Sequence, residues 1–348
     1  MLLVGCSEIQ YYYQAVTGHI AILNRKQKIE ALIKNPDTAP ELIKKLKLIQ
    51  QVRKYAVEQL HLPQIHGYTE YADIEKSHVS TVVTAAPALR LEPHQWCFLF
   101  VGCIGYRGYF DPAAAKAYAA EFEKKGWDVA VRGVRAYSTL KWLNNDFMPD
   151  YFKDPVLNTF TKLSDNSIIQ TLIHEMTHQV VFVAGDTSFN ESFAVFVEQE
   201  GFKQYLQMQG KKDADAYERY LLKKKDRARF LQIVETYYKK FESLYRSELS
   251  EAKKIKKKQR LFAEMRSDYE NHRTDFKVLN YQPWFEQSLN NAHLLGIRRY
   301  NNYVSAFAQI FQEQNQSWPS FFEKVEEIAA LSQEKRHTHL ESYQTSQN

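Results

Sequence analysis

The spacing of apolar and polar positions divides the chain into helical ends and a strand-rich middle. Residues 8–62 read as helical. Tyr11, Tyr12, Tyr13, Val16, Ile20 and Leu23 make an aromatic and apolar stripe expected to face the core, and residues 28–60 alternate apolar and charged positions at helical spacing. Pro36 and Pro40 break the second stretch into two helices, and Pro63 closes it. From residue 64 to 140 the pattern becomes extended. His78 to Thr84 is rich in β-branched residues, Trp96 to Gly102 and Tyr106 to Phe110 are strand-like, and Trp127 to Tyr137 is a further strand. Between them Asp111-Pro112 caps a helix over roughly 112–125 that ends at Gly126. A helix that is apolar on most sides follows, carrying Ile168, Ile169, Leu172, Ile173, Met176, Val180 and Val181. Residues 200–275 are nearly free of Gly and Pro, and Tyr217, Tyr220, Phe230, Val234, Tyr237, Phe241 and Leu244 recur at helical spacing. They predict two or three long helices, with a hairpin among them. Residues 276–330 form the last ordered block, in which Asn290-Asn291-Ala292 precedes an apolar helix through Phe311, and the polar tail from Ser332 is expected to fray. No internal repeat is present.

Composition agrees with a folded, helix-rich chain. Apolar residues make up 44% of 348, enough for a sizeable core and too many for a disordered chain. The formal net charge of +5 has a local source in the run Lys253, Lys254, Lys256, Lys257 and Lys258. Glu and Asp flank that run, so it reads as a solvated helix face. Nucleic-acid binding would instead interleave basic and aromatic residues on one surface, and no nucleic-acid partner is expected. No stretch approaches the ~20 apolar residues of a membrane span.

The chemistry is concentrated in residues 168–191, IIQTLIHEMTHQVVFVAGDTSFNE. His174-Glu175-Met176-Thr177-His178 is an H-E-x-x-H. On a helix, positions i and i+4 lie one above the other, so His174 and His178 can close on one metal ion from one side. Glu175 projects beside that ion, where it can hold and deprotonate a water. Buried ionisable groups need such a purpose, because unpaired buried charge is costly. Gly185-Asp186 is a turn signal that ends the helix, and Ser188 or Asn190 can cap a second one. Glu191 in its first turn supplies a third ligand, and Glu198, seven residues on, lies on the same face as a fallback. Two histidines and a glutamate from a following helix make the gluzincin ligand set, so one Zn²⁺ per chain is expected. The order strand, strand, helix, strand, metal helix then predicts an α+β, mostly helical fold. It has a zincin-like catalytic core, with a small twisted β-sheet beside the H-E-x-x-H helix and long helices C-terminal to it. The expected divisions are 1–6, N-terminal helices 7–63, sheet and metal-site helices 64–202, a helical region 203–331 and the tail 332–348, built as one catalytic unit.

There are three cysteines. Leu3-Val4-Gly5-Cys6 follows the L-x-G-C pattern of a bacterial lipobox, without the charged start and most of the apolar run of an export signal. The other reading of Cys6 is a buried N-terminal thiol. Cys97 and Cys103 would be disulfide-bonded in an exported protein and buried thiols in a cytosolic one.

Taken together, these features resemble the bacterial putative aminopeptidases, a family of predicted zinc-dependent exported lipoproteins. The resemblance covers nearly the whole chain. It rests on Gly5-Cys6 followed by Tyr11-Tyr12-Tyr13-Gln14-Ala15-Val16-Thr17-Gly18-His19, then Ala85-Ala86-Pro87, Trp96-Cys97-Phe98, Val101-Gly102-Cys103 and Tyr106-Arg107-Gly108-Tyr109-Phe110. Further along it rests on Ala136-Tyr137-Ser138-Thr139-Leu140, the H-E-x-x-H with Asn190-Glu191-Ser192-Phe193-Ala194, and Leu289-Asn290-Asn291-Ala292. It implies a gluzincin-like metallopeptidase acting on a peptide substrate, which is left open. It also implies a lipid anchor on Cys6 in the bacterial cell envelope, facing the periplasm, and a Cys97–Cys103 disulfide. Tyr106 and Arg107 are expected to contact substrate on this resemblance alone. In gluzincins a Tyr or His from a later helix steadies the oxyanion; Tyr300 is the first choice here, with Tyr303 and His293 as alternatives. Asn190 and Thr177 are expected to orient ligands by hydrogen bonds, and the strand end at Tyr137-Ser138 to pair with substrate backbone. Two other functions fit the same residues: a non-catalytic zinc-binding envelope lipoprotein, and a zinc amidase acting on a cell-wall fragment.

Overall fold

The computed structural model describes residues 3–64, 67–98, 102–135, 150–210 and 214–345. It is α+β and mostly helical, with small sheets on one side. The N-terminal part holds α1 (Leu3–Leu23), β1 (Lys26–Lys28), α2 (Ile29–Lys34), α3 (Pro40–Glu58) and β2 (Glu70–Ala72). The strand-rich part runs β3 (Ser80–Pro87), β4 (Trp96–Phe98), β5 (Gly102–Ile104), β6 (Arg107–Tyr109), α4 (Pro112–Glu123) and β7 (Trp127–Val134). After β8 (Val156–Leu157) and the single turn α5 (Asn158–Thr161) come α6 (Asp165–Thr177) and α7 (Thr187–Gln209). The rest is helical: α8 (Ala214–Arg246), α9 (Glu251–Asn271), α10 (Gln282–Phe285), α11 (Asn291–Asn301), α12 (Val304–Glu313), α13 (Trp318–Ala329) and α14 (Gln333–Thr345).

The largest core is built around α6 and α7. Ile168, Leu172, Ile173 and Met176 of α6 and Phe189, Phe193 and Phe196 of α7 bury against Ile49 and Val52 of α3 and against Phe307, Phe311, Phe321 and Leu340 from the C-terminal helices. Residues far apart in the chain thus hold two consecutive helices rigidly, the support a precise polar site needs. Contact with α3 is close at Gly201, where an added Cβ would come within 2.6 Å of Leu60, and the Gly201 carbonyl accepts a hydrogen bond from the Tyr55 hydroxyl.

Beside this core stands a three-stranded antiparallel sheet, β6–β3–β7, with β3 central. Helix α4 covers one face through Ala115, Ala119 and Phe122, packed on Tyr109 and Val129. Strands β4 and β5 form a separate hairpin in which Cys97 lies opposite Cys103, and the two are disulfide-bonded. The hairpin α8–α9 shares its own core with α10, in which Phe241 packs on Phe262 and Phe285 packs on Phe230 and Tyr269. It is tied to the sheet at Asn291: the Nδ2 amide donates to the carbonyls of Pro87, Ala88 and Arg90, and Oδ1 accepts from the Tyr245 hydroxyl. The Asn290-Asn291-Ala292 motif is therefore a structural joint, with Asn290 capping α11 through Ala292 N.

Four expectations need correction. The stripe on α1 is not core on all its members: Tyr13 and Val16 are 70% and 56% exposed. The helix meets the sheet along one line only, where Tyr11 packs on Tyr109, Gln14 accepts from Phe110 N and Gly18 rests against the Phe110 ring. The apolar helix expected through Phe311 is two helices, because Tyr303 N leaves the helical ladder and donates to Ser192 Oγ of α7. Lys258 is not solvated with the rest of its run; it is buried and paired with Asp128. Finally, the tail does not fray. It is α14, with Leu340 fully buried and Arg336 bonded to Asp186. No helix among the described residues is long and apolar enough to cross a membrane.

Candidate metal centre

Helix α6 starts where Ser164 Oγ accepts from Ser167 N. Three turns later it delivers His174 and Glu175 to its last turn and His178 to the C-cap position just after Thr177. The chain then has only residues 179–186 in which to turn back, and this short connection is fastened throughout. Asn190 accepts from Val183 N and donates to Val183 O, both at 2.8 Å. Gly185 adopts φ +80, a conformation that glycine reaches at little cost. The first residue of β5 abuts the same place, since a Cβ on Gly102 would meet Gly185 N at 3.0 Å. Asp186, and not Ser188 or Asn190, is the cap of α7: it accepts from Phe189 N, and its other oxygen takes Arg336 Nε and His337 Nε2, each at 2.8 Å.

This arrangement brings Glu191 onto the histidines. Ligand-type atoms of His174, His178 and Glu191 lie within 4.8 Å of one another. The imidazoles stand nearly perpendicular, with centroids 5.0 Å apart. His174 Nε2 is 3.4 Å from Glu191 Oε2, and His174 Nδ1 donates to Glu198 Oε2 at 3.1 Å. One nitrogen thus faces the candidate metal position while the other is held by a carboxylate, as in a carboxylate–histidine–metal relay. Glu198 is the orienting partner of His174 and not a ligand atom of the cluster.

Electrostatics follow from burial among carboxylates. Burial lowers the basicity of His174, but hydrogen bonds and proximity to Glu191 and Glu198 outweigh it and raise the imidazole well above its ordinary value. For Glu191 burial acts upward, and the two histidines and Arg299 reverse it, holding the carboxyl below its ordinary range. Burial takes His178 down to about 4, so it stands as a neutral imidazole with a free lone pair. Burial carries Glu175 up to about 7; His174 opposes the rise, while Glu191, Asp154 and Glu198 add to it. Glu191 and Glu198 therefore hold a proton on His174, the proton that a cation would displace.

Whether these residues suit zinc can be judged from the donors. They are two imidazoles and a carboxylate oxygen, the set a catalytic zinc takes with one position left open. His178 supplies an independent sign. It is 3% exposed, and among the described residues its Nδ1 has no hydrogen-bond partner, an arrangement that is costly without a cation on the ring.

The other expected residues divide. Tyr300 and Tyr106 lie at the site. Tyr300 accepts from Arg132 Nη2 at 3.1 Å, and burial raises the Tyr106 phenol, with Glu191, Tyr300 and Glu175 adding to the rise. Tyr303 is buried and packs on the His337 ring, and His293 Nδ1 pairs with Asn290, so neither has the role proposed for it. Arg107 also points elsewhere: its guanidinium pairs with Glu8 and stacks over Tyr11 at 3.8 Å, fastening α1 to the sheet. Thr177 returns its hydroxyl to Ile173 O within the helix, and Asn190 orients the loop and not a ligand. The Cys6 side chain and Tyr137-Ser138 lie outside the described residues. Arg132 and Arg299 were not anticipated. Arg299 is buried, donates to Gly105 O at 2.7 Å and lies over the Tyr106 ring. Nothing in the local sequence distinguishes these arginines from any others, because folding alone brings β7 and α11 to the metal helices.

A family model described as Putative aminopeptidase matches residues 10–340. No curated protein and no solved structure matches the chain.

Proposed function

The chain belongs to the Putative aminopeptidase family, and from that premise we propose that it is a zinc-dependent peptidase with a zincin-like site of the gluzincin type. The observation that carries this reading is the convergence of His174, His178 and Glu191 within 4.8 Å, with the half-buried Glu175 next to them in sequence. His174, His178 and Glu191 would hold the zinc. When bound, zinc supplies acidification of a water and polarisation of a scissile carbonyl. Glu175 takes the proton of the attacking water and returns it to the leaving amine. Burial and the neighbouring carboxylates push the Glu175 carboxyl above its ordinary range, which favours its taking up a proton. Glu198 holds His174 in the tautomer that presents Nε2. Tyr106 and Tyr300 are the hydroxyls near enough to donate to developing negative charge on the substrate.

The location we propose is the bacterial cell envelope, with Cys6 lipidated and the Cys97–Cys103 disulfide suited to an oxidising compartment. Its support is the L-x-G-C sequence and the disulfide pairing.

The test is zinc content combined with a screen of aminoacyl and internally quenched peptides. Wild type is expected to bind about one zinc and to turn over at least one peptide class. Glu175→Gln is expected to keep its zinc and lose turnover by a factor of roughly 10² or more, the usual scale for a lost general base. Full activity of that variant on a true substrate would refute the mechanism.

A further inference from the structure

The three glutamates at this site are all in use, while Arg132 has no carboxylate partner among the described residues. Glu191 and Glu198 each face one nitrogen of His174, and Glu175 is the base. Among the described residues none of the three is spare to receive a substrate's free amine. Arg132 is the opposite case. It stands on β7, which pairs only with β3 among the described strands, and its side chain is open to solvent. It donates to the Tyr300 hydroxyl and makes no ion pair with a carboxylate among the described residues. Glu191 and Tyr106 lie close enough to favour its charge. Arg299 stands behind it at the same site, bonded to the Gly105 carbonyl and over the Tyr106 ring.

From this we infer that Arg132 is the anion-recognising residue of the cleft, pairing with a substrate carboxylate held within a residue or two of the metal. The inference rests on the peptidase reading above and narrows its substrates to short peptides with a free C-terminus, or to peptides with an acidic side chain near the cleaved bond. The guanidinium fork suits a planar carboxylate. The Tyr300 hydroxyl takes one Arg132 nitrogen, and among the described residues no other hydrogen-bond partner holds the fork. A second hollow, of about 260 Å³, adjoins Glu198 and is lined by Arg219, Lys223, Lys224 and Arg227. It lies on the Nδ1 side of His174, away from the ligand atoms, and provides a control position.

The experiment uses zinc-loaded Glu175→Gln protein, so that binding is read without turnover. Calorimetry would compare trialanine, trialanine amide and Ala-Glu-Ala amide. Trialanine is expected to bind roughly tenfold or more tighter than its amide, the scale of one charge-assisted hydrogen bond. Tight binding of Ala-Glu-Ala amide would mark a side-chain carboxylate as the recognised group. Adding Arg132→Gln should bring all three peptides to within about twofold, and Arg132→Lys should restore part of the preference. Circular dichroism and zinc content check that each variant is folded and loaded. Equal binding of the free acid and both amides overturns the inference, as does failure of all three to bind. A preference that survives Arg132→Gln, or one lost in Lys223→Gln instead, overturns the placement. Should wild type hydrolyse none of these peptides while the preference holds, the carboxylate site stands and the peptidase reading falls. Hydrolysis without the preference has the reverse meaning.

Discussion

Glu198 provides a sharp test of how the site is divided between ligands and supports. Its carboxylate accepts from His174 Nδ1 at 3.1 Å, and both side chains are mostly buried, at 18% and 12% exposure. Glu198→Ala removes that acceptor and leaves all three ligand atoms in place. Loss of such an outer partner costs 10–100-fold in metal affinity, equivalent to about 1.4–2.8 kcal/mol. One effect opposes this. Glu198 also helps hold the proton on His174 that a metal must displace. Its removal eases that competition, and eases it more at low pH, where His174 is more fully protonated. Zinc affinity of Glu198→Ala is therefore expected to lie nearer 10-fold below wild type at about pH 6 and nearer 100-fold below it at about pH 8. Glu191→Ala, which removes a ligand atom, should lose far more at both. Competition with a chromophoric chelator at the two pH values measures this. If Glu191→Ala binds zinc normally and Glu198→Ala does not, the third ligand is Glu198. If Glu198→Ala binds as tightly as wild type at both pH values, the carboxylate does not orient His174.

Other consequences can be checked separately. Asp186→Ala leaves Arg336 buried without its partner and removes the cap of α7. It should destabilise the fold by about 3–5 kcal/mol, read as a lower midpoint in urea. In wild type, burial raises the Asp186 carboxyl, but His337, Phe189 N and Arg336 outweigh it and hold it below its ordinary value. Its contribution to stability is therefore fully present above about pH 3.9 and lost as pH falls through the lowered value; an Asp186→Asn variant whose acid unfolding matched wild type would contradict this. Cys97 and Cys103 should resist alkylation until reduced, and free labelling of both in the native protein would exclude the disulfide. Expressed with a full export signal, Cys6→Ala should move to the soluble fraction, and unchanged membrane association would count against lipidation.

The parts of the fold legible in the sequence were those set by local pattern. The period of apolar residues located α3, α8 and α9, the Asp111-Pro112 cap and Gly126 located α4, and the β-branched run located β3. The i, i+4 histidines defined their own geometry because a helix fixes it. What depended on distant packing was harder to read. The polar tail looked free because Arg336 and His337 are ordinary surface residues until Asp186 meets them 150 positions away in sequence. The α1 stripe looked like core because an apolar face does not reveal whether a partner covers it. Glu198 was visible through its seven-residue spacing from Glu191, but not its role, which depends on which nitrogen of His174 it meets. Tyr300 was preferred over Tyr303 without a spacing rule to separate them; the helix break at Tyr303 turns that residue into the core and leaves Tyr300 beside Arg132.

The most direct measurement of the central claim is anomalous scattering at the zinc edge from crystals of protein purified with zinc. The account predicts one zinc per chain, with a nitrogen of His174, a nitrogen of His178 and a carboxylate oxygen of Glu191 each about 2.0–2.2 Å from it. Zinc bound elsewhere on the chain, or His174, His178 and Glu191 left metal-free at saturating zinc, would contradict it.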